Sequence, residues 1–100
     1  MTTVTQPIQL CIPKVSNEIH RYKISDIFAS LNIGKIIRVS ENPLRTNPNF
    51  KRVIISIDWN NDNPLALHIQ NVLKNTNEHI NIVYDMPWYW QIFAAINHQK

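Results

Sequence analysis

The chain of 100 residues holds a single cysteine, Cys11, and a single glycine, Gly34. One cysteine excludes an intramolecular disulfide and the stapled frameworks of small secreted domains, so an intracellular setting is expected. One glycine excludes a phosphate-cradling loop, which needs several residues without Cβ close to the phosphates. No apolar run approaches the roughly 20 residues of a membrane-spanning helix. Met1 to Gln6 shows neither the basic start nor the apolar stretch of a secretory leader. His20, His68, His79 and His98 are dispersed, without the close spacing of zinc ligands. Asp58, Asp62 and Asp85 fall at expected strand or loop ends and form no carboxylate pair for acid–base work, and Cys11 has no positioned basic partner. A chain of this kind is expected to be no enzyme and to use no metal, cofactor, small-molecule substrate or membrane.

What is present suits one domain with one modest core. The formal charge is +3 and the isoelectric point near 9.3, a balance compatible with a polyanionic partner and also common among inert small domains. Ile8, Leu10 and Ile12 alternate with Gln9 and Cys11, a half-buried strand that Pro13 should end. Ile24, Ile27, Phe28 and Leu31 recur at helical spacing, with Asn32 and Gly34 as stop signals. Gly34 to Ser40 reads as a second strand, and Glu41 to Asn49 as a polar loop. Phe50 to Trp59 is the clearest strand, with Val53, Ile55, Ile57 and Trp59 on one face and Arg52, Ile54, Ser56 and Asp58 on the other. Asn63 and Pro64 start a second helix as N-cap and first helical residue, and Leu65, Ile69, Val72 and Leu73 form its apolar stripe. Ile80 to Asp85 is a fourth strand.

The order βαββαβ predicts an α+β split sandwich, RRM-like or ferredoxin-like, with a four-stranded antiparallel sheet and two helices on one face. Residues 1–6 are expected to be a flexible tail, 7–90 the domain, and 91–100 a short apolar extension. The face without helices would present Gln9, Cys11, Arg52, Ile54 and Ser56, with Lys51 beside it. An open, moderately polar sheet with a basic pair suits RNA recognition.

Three segments carry a family resemblance: Leu31-Asn32-Ile33-Gly34-Lys35-Ile36-Ile37-Arg38-Val39, Phe50-Lys51-Arg52-Val53-Ile54-Ile55-Ser56-Ile57-Asp58-Trp59, and Val83-Tyr84-Asp85-Met86-Pro87-Trp88-Tyr89-Trp90. Over about residues 8 to 90 the chain resembles the small RRM-like proteins of nucleocytoplasmic large DNA viruses, the giant viruses. The resemblance implies the RRM-like fold and an accessory protein of the infected host cell, free or packaged in the virion. It also exposes a departure from RNA-binding RRMs. Where their third strand carries two stacking aromatics, this chain has Arg52 and Ile54, and the first strand offers Gln9 or Cys11 instead of a ring. Each lost base stack is worth about 1–3 kcal/mol.

Two function readings follow. In the first, single-stranded RNA or DNA is bound with weak sequence selectivity by Lys35, Arg38, Lys51 and Arg52, beside Gln9, Ile54 and Ser56. Pro87 is expected to end the pairing and release Trp88 or Trp90 as a stacking ring. The opposing reading of these tryptophans is that at least one seals the core. Likewise, the basic residues of the second strand also suit a charged sheet edge that discourages aggregation. In the second function reading, the fold is a protein-interaction or virion structural module. Ile92, Phe93 and Ile96, on a short helical turn, would then meet another copy or another viral protein, or fold over the open sheet.

Overall fold

The computed structural model describes residues 8–75 and 78–95. Among these the chain forms β1 (Leu10–Ser16), α1 (Arg21–Ser30), β2 (Gly34–Pro43), β3 (Phe50–Trp59), α2 (Pro64–Leu73), β4 (Ile80–Asp85) and β5 (Trp88–Ala94). The strands make one sheet in the order β2-β3-β1-β5-β4, and every neighbouring pair is antiparallel. The α+β class and the two helices match the sequence reading. The four-stranded sheet does not, because a fifth strand enters between β1 and β4. The expected tail at 1–6, together with Ile96 and His98, lies outside the described residues.

The fifth strand explains two misreadings. Pro87 does not release the aromatics from the sheet. It sits with Met86 in the turn between β4 and β5, joined by a cis peptide bond, where a missing N–H interrupts no ladder. Pairing resumes at once, with Trp88 opposite Asp85 and Trp90 opposite Ile82. Residues expected to form a separate extension past residue 90 are therefore inner strand, continuing to Ala94 opposite Leu10. Pro13 likewise does not end β1. The strand passes through it with a register shift between Ile12 and Val15, the irregularity by which a ladder accommodates a residue without a donor.

Both helices pack on one face. Ile24 and Phe28 of α1 and Ala66, Ile69 and Leu73 of α2 join Leu10, Ile12, Val53, Ile55, Ile57, Trp90 and Ile92 in one core. Leu65, placed in the apolar stripe of α2, is instead exposed, and Ala66 takes the buried position. The helix starts as expected: Asn63 Oδ1 accepts from Leu65 N at 2.9 Å, and Pro64 follows. Asn63 also donates through Nδ2 to the Asn32 carbonyl at 2.7 Å, so one side chain caps α2 and ties it to the end of α1. Asn32 supplies the left-handed residue after α1, with φ of 55°, the conformation Asn tolerates better than most side chains. Gly34 answers a different need. A Cβ there would lie against the Asp58 carbonyl, 2.9 Å from Ile57 Cγ1 and 3.0 Å from Trp59 Cα, so β2 comes this close to β3 only without a side chain. No helix among the described residues is long and apolar enough to cross a membrane.

Candidate nucleic-acid interface

Strand alternation assigns the face opposite the helices. On β3 the buried Val53, Ile55 and Ile57 alternate with Arg52, Ile54 and Ser56. Leu10 and Ile12 of β1 alternate with Gln9 and Cys11. These five outward residues are the ones read from the sequence. Tyr89, Gln91 and Phe93 of β5 join them, alternating with the buried Trp90 and Ile92. Cys11 stands opposite Ile54 on one side and Phe93 on the other, so these three form a row across the centre of the sheet. The Phe93 ring lies 5.2 Å from that of His79, tilted by 35°.

This row corrects the expectation that the open sheet has no stacking ring. Phe93 is half-buried at its centre and Tyr89 is 51% exposed four residues earlier on the same face. At about 3.3 Å per residue the two rings stand about 13 Å apart along one strand. A third ring, Phe50, lies near one end of the face with the Lys14 ammonium 4.3 Å from its centroid. Lys14, Pro13, Tyr89 and Gln91 border a shallow groove of about 270 Å³. The sequence reading puts Phe93 at a protein contact on a helical turn and places neither Phe93 nor Tyr89 on the open face of the sheet, because the pairing is expected to end at Pro87. The local signal is weak: in Tyr89-Trp90-Gln91-Ile92-Phe93-Ala94 only Gln91 is a polar outward residue, so the period of two is far less marked than in β3.

The expected cations separate. Arg52 is exposed on the open face, and its guanidinium acts on the nearby Cys11 thiol. Burial pushes that thiol's pKa up, and Arg52 pulls it only part of the way back, so at neutral pH the thiol stays protonated and a poor nucleophile. Lys35 reaches the same face at its far end, across from Asp58, an opposite charge that offsets it. Arg38 lies opposite Ser56 on the outer strand.

Lys51 does not belong to this face. It shares the parity of Val53 and Ile55, is 7% exposed, and donates through Nζ to the Ile19 carbonyl at 2.7 Å while pairing with Glu41. Both acceptors come from neighbouring elements and close over the ammonium, so it is fixed inside rather than offered to a ligand. Lys51→Met is expected to lower stability by about 2 kcal/mol, because the Ile19 carbonyl and the partly exposed Glu41 lose their donor. Urea unfolding measures that loss, and oligonucleotide affinity should stay within twofold of the parent. A larger loss of affinity with stability intact would return Lys51 to the binding surface.

The tryptophans also divide. Trp90 is 3% exposed, its ring centroid 4.3 Å from Tyr84 and 6.4 Å from Phe28, so it cannot reach a base. Trp88 is 63% exposed but shares the parity of Trp90, which puts it on the helix side of the hairpin rather than beside Tyr89. Of the residues expected at a protein interface, Ile92 is wholly buried and presents nothing to a partner, because β5 turns it into the core. Phe93 is on the open sheet, and Ile96 lies outside the described residues. Among the described residues no group of three or more His, Cys, Asp or Glu is placed to hold a metal ion.

The fold and this face define a class: a small α+β domain with helices on one side of an antiparallel sheet and an aromatic, basic surface on the other. Comparison of the chain with protein-family models, with characterised proteins and with solved structures gives no match.

Proposed function

We propose that the chain is a non-catalytic, RRM-like module that binds single-stranded RNA or DNA through the open face of its sheet, with weak sequence selectivity. The observation that carries this reading is the outward pair Phe93 and Tyr89 on β5, flanked by Arg52 and Lys14. Flat rings on an open sheet accept unpaired bases, whereas the bases of a duplex are already stacked on each other. A ring stacks on any base, and the face offers few directional groups beyond Gln9, Gln91, Ser40 and Ser56, so affinity should depend little on sequence. In this reading β2, β3, β1 and β5 form the four-stranded platform of a split βαβ domain, and β4 is an added edge strand.

Anisotropy of a labelled single-stranded oligonucleotide tests the proposal. Two or three phosphates neutralised by Lys14, Arg52 and their neighbours should give a slope of about −0.7 per phosphate in the logarithm of affinity against that of salt. From 50 to 200 mM salt, affinity should then fall by roughly tenfold. A duplex of the same sequence should bind more weakly. No binding at low salt, or binding indifferent to salt, would remove the reading.

A further inference from the structure

The outer edge of the sheet at β2 borders α1, and between them runs a groove of about 740 Å³. Arg21, Tyr22 and Ser25 line it from the helix, and Ile37, Arg38 and Ser40 from the strand. Two of its apolar side chains stand in solvent, Tyr22 at 66% and Ile37 at 67% exposure. Ile37 is pushed outward by the register shift between Ile36 and Arg38. The one carboxylate in the lining, Glu41, is paired with Lys51. The groove therefore presents two arginines with no acid of its own free to answer them.

β2 pairs with β3 on one side, and from Arg38 to Pro43 that pairing is regular. Among the described residues no strand pairs with its other side, where alternate residues present both N–H donors and C=O acceptors. This combination selects the occupant. A DNA backbone carries phosphate acceptors but no donors, so it would leave the carbonyls of the edge unanswered, and RNA adds only one 2′-hydroxyl per nucleotide. An extended peptide answers donors and acceptors together. A second copy of this chain, pairing β2 with β2 about a two-fold axis, would bring arginines toward arginines. We propose that the groove is a peptide-binding site, in which an extended acidic segment of a partner protein adds as a strand to β2. Its carboxylates would meet Arg21 and Arg38, and an aliphatic side chain would pack between Tyr22 and Ile37.

The test uses the full chain and a labelled, end-blocked peptide of repeated Glu-Glu-Val-Val, which puts both residue types on each face of an added strand, with two variants. One variant replaces Glu by Lys, and the other is N-methylated at alternate residues so that it cannot pair as a strand. The parent peptide should bind saturably, shift amide resonances of α1 and β2, and lose at least tenfold in affinity on either change. Arg21→Glu and Ile37→Asp in the protein should each weaken it fivefold or more. Both positions are exposed, and a negative charge in the first turn of α1 suits the helix dipole, so these variants fold. Absence of binding at millimolar peptide, equal binding of the N-methylated form, or displacement by a single-stranded oligonucleotide would each overturn the proposal. The resonances that move separate this site from the open face: peptide should shift α1 and leave β1 and β5 unmoved, and oligonucleotide should shift β1 and β5 and leave α1 unmoved. Failure of one ligand therefore leaves the result for the other intact.

Discussion

Tyr89→Ala combined with Phe93→Ala is expected to weaken binding of a single-stranded oligonucleotide by roughly thirtyfold at least. Each base stack on an aromatic side chain is worth about 1–3 kcal/mol, and even the lower figure, taken twice, gives more than a factor of ten. The two rings stand on the open face, outside the core that holds the domain together, so the double variant should retain its fold by circular dichroism. Each single variant should lose about fivefold or more. Trp88→Ala is the control, because Trp88 is also exposed and aromatic yet stands on the other side of the hairpin. Its affinity should match the parent. Were Trp88→Ala to weaken binding while the Tyr89 and Phe93 variants did not, the interface would lie at the hairpin tip and the open-face reading would fail.

Trp90→Ala should have the opposite signature, a large loss of stability. The indole is enclosed by Phe28 from α1 and Tyr84 from β4, so the substitution opens a cavity where helix and sheet meet. Truncating a buried aromatic costs about 3–5 kcal/mol, a large share of the roughly 5–15 kcal/mol that holds a domain folded. For a domain of this size each kcal/mol moves the melting temperature by about 4–8 °C, so Tm should fall by at least about 12 °C. Trp90→Phe should recover part of the loss, since a ring still fills the space. Thermal unfolding measures both. A Trp90→Ala protein with unchanged Tm and lost oligonucleotide binding would mean that the ring faces solvent.

The contrast between adjacent residues of β5 shows how the candidate site was hidden. Tyr89 and Trp90 are equally aromatic, and composition alone cannot say which one is core. Alternation decides it once the segment is known to be a strand. Nothing local shows that β5 lies between β1 and β4. That placement turns Phe93 into the middle of the open face and Ile92 into core, so a segment that read as an appendage became the centre of the interface. Lys51 was half legible. Its parity with Val53 pointed inward, but a lysine is held inside only where acceptors meet it. Those acceptors come from the turn before α1 and from β2, distant in sequence.

Local patterns determined by themselves the order of the first six elements, the faces of β3, the Asn63–Pro64 start of α2 and the stop to α1 near Asn32. Each depends on residues within a few positions of one another, where side-chain period, capping and backbone sterics act directly. Tertiary structure decided strand neighbours, the burial of Lys51 and Trp90, and the gathering of Phe93, Cys11 and Ile54 in one row. Those outcomes depend on which distant segments pair, and pairing is settled by the shared burial of whole faces rather than by any short run of residues.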